Sequence, residues 1–252
     1  MPKFCANLSM MFTEVPFLER FGAAAAAGFP AVEMLFPYEA PANEVKAAAD
    51  AAGVQIALFN TPAGAWDDGQ RGLSALPGQE ADFRDAFARM MDYAAVLEPH
   101  CLHIMAGLSQ GDAAAQTYAE NLAWAAAEAP DHQFAIEPIN NRDIPGYFLN
   151  RTDQAIAILD QVGAANIGLQ FDIYHVQIME GDLTRRFEAL KDRVVHVQLA
   201  GVPERHEPDQ SEVDLHHIMS TLDRCGYAGW VGCEYRPAGR TEDGLGWMAA
   251  FD

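Results

Sequence analysis

The sequence predicts an α/β fold, a single (β/α)8 TIM barrel, on three observations. Eight short runs, mostly apolar on both faces, recur along the chain, as the strands of a buried parallel sheet must. Stretches with helical spacing separate them, so successive strands pair in parallel through right-handed crossovers. The length of 252 residues is near the usual size of such a barrel, and residues 1–252 read as one domain.

Phe4–Leu8 is the first strand. It leads into the helical stretch Val15–Ala27, where Phe17, Leu18 and Phe21 share a side. Ala31–Phe36 is the second strand, and Asn43–Ala52, behind Pro41, the second helix. Val54–Phe59 is the third strand. The Gly- and Pro-rich segment Thr61–Gln79 follows as a long loop expected over the barrel mouth, where loops build sites. Helix Glu80–Leu97 carries Phe83, Phe87, Met90, Met91 and Leu97 on one side. Strand Cys101–Met105, helix Ala113–Ala129 and strand Gln133–Ile136 come next. Thr152–Val162 is a helix with Thr152 expected as its cap. Strand Ile167–Phe171, helix Leu183–Leu190, strand Val194–Leu199, helix Val213–Cys225 and strand Trp230–Cys233 complete the series. The alanine runs 23–27, 47–49 and 125–127 are good helix formers that allow close packing. Arg236–Asp252 is short for an eighth outer helix, so that helix is expected to be truncated or covered by a partner, with a homodimer as the candidate. A doubly wound open sheet is the alternative fold. No G-x-G-x-x-G follows the first strand, so a nucleotide cofactor has no support.

Lys and Arg number 16 against 36 Asp and Glu, a net charge of −20. Such a surface repels phosphate backbones and anionic membranes, so neither nucleic acid nor membrane is an expected partner. Cys5, Cys101, Cys225 and Cys233 form no C-x-x-C pair and read as buried thiols in a reducing cytoplasm. Asn7, Ser9 and Glu14 break the N-terminal apolar run, which makes it a poor signal peptide. No run of 18 apolar residues is present.

The chemistry is carried at strand ends. Glu137, Asp172, Gln198 and Glu234 stand at the C-terminal ends of strands five to eight. In a barrel these ends share one face and converge. Three carboxylates share a buried site only if something compensates their charge. A divalent metal does so, and hard oxygen donors suit Mg²⁺ or Mn²⁺ better than zinc. Taken singly, each acid also reads as a strand cap or a partner for Lys or Arg. His175, three residues after Asp172, faces the same mouth if a helix starts there; it is either a substrate contact or structural. His196 points the same way as Gln198 along its strand, with core filling its favoured role, and His103 shares that ambiguity. His216 and His217 read as surface residues of a helix. Arg205, in a mouth loop, is matched to a substrate carboxylate or else to a surface pair with Glu204 or Glu207.

The segments Ala6-Asn7-Leu8-Ser9-Met10, Glu33-Met34-Leu35-Phe36-Pro37-Tyr38, 72–78 (GLSALPG), Glu137-Pro138-Ile139-Asn140, Asp143-Ile144-Pro145-Gly146, Asp172-Ile173-Tyr174-His175 and Gly232-Cys233-Glu234-Tyr235 together resemble the hydroxypyruvate isomerase family of xylose-isomerase-like TIM barrels. The resemblance covers nearly the whole chain. It implies that Glu137 and Glu234 are the acid/base pair and that Glu137, Asp172, Gln198 and Glu234 match metal positions, some relatives having histidine in place of Gln198. Segments 12–17, 58–61, 205–209 and 242–247 look instead like the 2-oxo-tetronate isomerase branch, whose substrate is one carbon longer; Asn60 in one of them is expected to contact substrate. The implied reaction interconverts hydroxypyruvate and tartronate semialdehyde (2-hydroxy-3-oxopropanoate) through an enediolate. A non-catalytic barrel that binds sugar acids and an abasic-site endonuclease-like hydrolase are the rivals from other classes. The second needs a histidine-rich zinc cluster and a basic groove, which this composition opposes.

Overall fold

The computed structural model describes residues 2–251. Among them, eight parallel strands close a barrel in sequence order: β1 (Lys3–Asn7), β2 (Ala31–Met34), β3 (Gln55–Asn60), β4 (Cys101–His103), β5 (Phe134–Ile136), β6 (Ile167–Asp172), β7 (Val194–Leu199) and β8 (Trp230–Cys233). The ring closes where β1 pairs with β8, Cys5 opposite Gly232. All eight expected strands are present, with β2 and β4 shorter than their apolar runs.

The outer helices are α1 (Arg20–Ala26), α2 (Ala42–Ala52), α3 (Glu80–Leu97), α4 (Gly111–Glu128), α5 (Thr152–Val162), α6 (Ile173–Met179), α7 (Leu183–Leu190) and α8 (Leu215–Arg224). Helix α6 adds a turn directly after β6. Thr152 is the first residue of α5 rather than its cap. Glu180, just beyond α6, takes that role: its carboxylate accepts from Thr152 N at 2.7 Å and from Thr152 Oγ1 at 3.3 Å. A carboxylate satisfies a helix N-terminus and also opposes its positive dipole end, so it displaces the hydroxyl. The C-terminal segment is a 3₁₀ helix, Thr241–Phe251. Its Trp247 and Phe251 rings meet Phe4 of β1 at 5.0 and 5.6 Å, so after β8 this 3₁₀ helix covers the barrel in place of an outer α-helix.

Alternation divides each strand between two cores. Phe4 and Ala6 of β1 join the large outer core against the helices, as do Val197 and Leu199 of β7. Buried alanines such as Ala24, Ala49 and Ala125 let those helices lie close. The inward positions hold mostly small side chains, with Cys5, Ala31 and Ala57 in one cluster and Cys101 and Ala135 beside the larger Leu58 in another. Asn7, Glu33, Gln170, His196 and Gln198 are buried among the inward residues. The barrel interior is therefore unusually polar for this architecture, whose interior is normally branched aliphatic. The four cysteines are unpaired, three buried and Cys225 half-buried.

Candidate active site

Strand ends bring the acids together. Glu137, Asp172 and Glu234 follow β5, β6 and β8 or end them, and all three are buried. With His175 they offer ligand atoms that lie within 4.8 Å of one another. Glu137, Glu234 and His175 border a cavity of about 390 Å³, also lined by Asn60, Met105, Arg71 and Arg205, a size typical of small-molecule sites, and Asp172 lies directly behind them.

Each carboxylate is oriented from behind. Asp172 caps α6, its Oδ1 accepting from Tyr174 N at 2.7 Å and His175 N at 3.2 Å. That leaves Oδ2 buried with no hydrogen-bond partner, and Glu137 Oε1 is orphaned in the same way. Glu234 Oε2 lies 3.2 Å from Arg205 Nη2. Burial and mutual repulsion hold the Glu137 carboxyl well above its ordinary range. Burial likewise raises Asp172 to about 6 and Glu234 to about 8, against the opposing pull of Arg205 on each. Three buried acids, two of them with an unmet oxygen, form a donor set suited to a hard divalent cation.

His175 does turn to the mouth. Its role is set by Asn140, whose Oδ1 accepts from Arg142 N at 2.9 Å and Asp143 N at 2.8 Å. The Asn140 amide is thereby fixed with Nδ2 toward His175 Nδ1, 2.6 Å away. Nδ1 must then accept, so the proton sits on Nε2. Burial holds the ring neutral, far below its ordinary value. Nε2–H lies 3.8 Å from Glu137 Oε1 and 3.7 Å from Asp172 Oδ2. In this tautomer His175 is a donor rather than a metal ligand.

Gln198 is embedded in a hydrogen-bond chain. Its Oε1 accepts from Gln170 Nε2 at 2.6 Å and its Nε2 donates to Glu33 Oε1 at 2.7 Å. Glu33 also accepts from Asn7 Nδ2 at 3.0 Å and lies 2.7 Å from His196 Nε2. His196 thus faces inward with Gln198, in a polar network rather than an apolar core. His103, pushed down to about 3 by burial, lies 3.2 Å from Asn60 Oδ1 and 3.7 Å from Glu137 Oε2. Asn60 lines the cavity as expected.

Arg205 is buried and pairs with Asp143 Oδ2 at 2.8 Å as well as with Glu234. Its partners are not Glu204 or Glu207, so the surface-pair alternative does not hold. Its backbone is left-handed, with φ 58°. Sequence reasoning missed Glu33, Asn140, Asp143, Gln170 and Arg71. An acid inside the apolar run 31–36 was the available signal for Glu33. A lone arginine in a mouth loop was the signal for Arg71, as it was for Arg205.

Residues 21–251 match the family model described as xylose isomerase-like TIM barrel. The chain belongs to this xylose isomerase-like family. Within it, the chain is 52% identical over 257 residues to the 2-oxo-tetronate isomerase of Cupriavidus necator, covering 100% of this chain and 99% of that one. It is 41% identical over 257 residues to the hydroxypyruvate isomerase of Escherichia coli, covering 100% of both. Among solved members, a Brucella melitensis protein named AP endonuclease, family 2, superposes with a TM-score of 0.97 at 45% identity, over 100% of this chain and 99% of that one. Among the described residues, no helix is long and apolar enough to cross a membrane.

Proposed function

We propose that the protein is an intramolecular oxidoreductase of the aldose–ketose type, moving a carbonyl between adjacent carbons of a short hydroxy-oxo acid. The reading carries over the activity named for the hydroxypyruvate isomerase relative; in it, this protein interconverts hydroxypyruvate and tartronate semialdehyde through an enediolate. The observation that carries it is the pair Glu137 and Glu234, which border one cavity from the ends of β5 and β8, with an Asp172 oxygen within 4.8 Å of both.

The orphaned oxygens of Glu137 and Asp172 fit a divalent cation, Mg²⁺ or Mn²⁺, which Glu137, Asp172 and Glu234 would hold, with the remaining lone pair of Gln198 Oε1 as a fourth donor. When bound, such an ion polarises a carbonyl and eases charge on neighbouring oxygens. One glutamate removes the proton from the hydroxyl-bearing carbon beside the carbonyl, the other returns a proton to the former carbonyl carbon, and the hydroxyl proton passes to the former carbonyl oxygen. Arg205, 3.2 Å from Glu234, favours the ionised form that a base requires. His175 Nε2–H and the Asn60 side chain, both in the cavity lining, contact substrate oxygens. Four unpaired thiols accord with a reducing cytoplasmic setting.

A second reading, a four-carbon 2-oxo-tetronate substrate, is favoured by the 52% identity to the Cupriavidus enzyme. Both substrates share the 2-oxo-3-hydroxy acid unit and differ only beyond it. Proton NMR in D₂O with Mg²⁺ tests both readings. Deuterium uptake and product from hydroxypyruvate support the three-carbon substrate. Turnover of the four-carbon acid alone assigns the protein to the longer substrate, and exchange into neither overturns the isomerase.

A further inference from the structure

Three guanidinium groups reach the cavity, those of Arg71, Arg205 and Arg236. Arg205 is committed, with Nη1 on Asp143 at 2.8 Å and Nη2 on Glu234 at 3.2 Å. Arg236 is exposed at the rim. Arg71 differs from both. Its Nη1 donates to the backbone oxygens of Trp66 at 2.9 Å and Gln70 at 2.7 Å. Its plane lies over the Trp66 ring, 3.9 Å from the centroid, and Trp66 in turn meets Phe36 edge-on at 5.2 Å. Among the described residues, no carboxylate pairs with it.

The two protons of Nη1 are therefore used inside the loop, and the Nε–Nη2 edge is left over. That edge presents two parallel N–H groups, the fork that matches a carboxylate. Stacking on Trp66 and the two carbonyl bonds fix its direction before any ligand arrives, which reduces the entropy lost on binding. The loop is itself anchored next door. Gly72 N donates to Ala63 O at 3.0 Å, and Gly72 bridges to Ala106 just beyond β4. At φ 126°, with Met105 O only 2.6 Å from where a Cβ would stand, position 72 admits glycine alone.

We propose that Arg71, backed by Trp66, receives the substrate carboxylate through its Nε–Nη2 edge, and that Arg205 serves Glu234 and Asp143 instead. This rests on reading the site as one for a short hydroxy-oxo acid. It makes Arg71 the residue that selects acids over neutral keto-sugars.

The test compares wild type with Arg71→Ala and Arg71→Lys in the presence of Mg²⁺. Calorimetry measures binding of tartronate, a stable hydroxy-dicarboxylate, and initial rates measure turnover of hydroxypyruvate and of the four-carbon acid. Both variants are expected to raise the tartronate Kd and the substrate KM about 10- to 150-fold, with kcat changed less than about threefold. Unchanged Kd and KM, or a fall in kcat at constant KM, overturns the proposal. Arg71-dependent tartronate binding by a protein that turns over neither acid leaves the carboxylate site standing and removes the reaction. Absence of tartronate binding in wild type overturns the carboxylate site.

Discussion

At the scale of single residues, the site is organised by what each polar atom has already spent. Asn140 spends its carbonyl on two backbone amides, which fixes His175 as an Nε2–H donor. Asp172 spends Oδ1 on the cap of α6 and leaves Oδ2 without a hydrogen-bond partner, close to Glu137 and Glu234. Arg205 is spent on two acids, which keeps Glu234 closer to its ionised form than burial alone would allow. Glu137→Gln and Glu234→Gln each retain shape and remove the proton-transfer group. Each is expected to lower kcat by about 10²- to 10⁴-fold, the usual worth of a positioned acid or base. A steady-state assay in which either variant keeps near-full activity removes that glutamate from the reaction. The four strand-end positions were legible in the sequence because parallel-strand ends share one face, whatever the details of packing. The tautomer of His175 was not, since it depends on an amide 35 residues away.

At the scale of elements, β2, β7 and β8 meet inside the barrel around Glu33. His196 lies 163 residues from Glu33 in sequence and 2.7 Å from it in space. Gln198 links the same carboxylate to Gln170. No periodicity in the chain announces this, because an inward polar residue and an inward apolar one occupy the same place in a strand pattern. The strands themselves were legible from runs of residues apolar on both faces, and helix ends were less so: Thr152 looked like a cap until Glu180 took the place. Room for Glu33 is made by β8, where a Cβ on Gly232 would stand 2.3 and 2.4 Å from the Glu33 carboxylate oxygens. Gly232→Ala must therefore displace that carboxylate or the strand. The expected cost is about 1–3 kcal/mol of stability, read as a lower midpoint in urea, together with reduced kcat as Gln198 and Gln170 lose their anchor. A variant matching wild type in both measurements shows that Glu33 does not set the geometry of the site.

At the scale of the whole molecule, a chain of net charge −20 gathers three of its acids at the mouth of its barrel, and its pH response follows from the sign of their shifts. Asp172 rises from 3.8 to about 6 and Glu234 from 4.5 to about 8, with Glu137 displaced in the same direction, chiefly through burial. A folded state that holds protons the unfolded chain releases loses stability as pH rises between the two values. Burial lowers His103 and His175 instead, and their contribution is lost below their ordinary value of 6.5. Above neutrality the carboxylates set the slope, joined toward pH 8.5 by the buried thiols of Cys5, Cys101 and Cys233, which burial also raises and which act in the same direction. Without divalent cations the melting temperature is therefore expected to fall between pH 7 and pH 8.5. A cation that takes the place of those protons binds more tightly as pH rises through the same interval. At about 100 times its Kd it adds about 2.7 kcal/mol, which for a chain of this size is a rise on the order of 5–10 °C. Thermal melts in EDTA, Mg²⁺ and Mn²⁺ at the two pH values measure this directly. The cation increment should be larger at pH 8.5 than at pH 7, and it should shrink in Asp172→Asn, which keeps the cap of α6 but removes one negative charge. An increment that is absent, or that does not grow with pH, means that Glu137, Asp172 and Glu234 carry their burden as protonated acids rather than as a cation site.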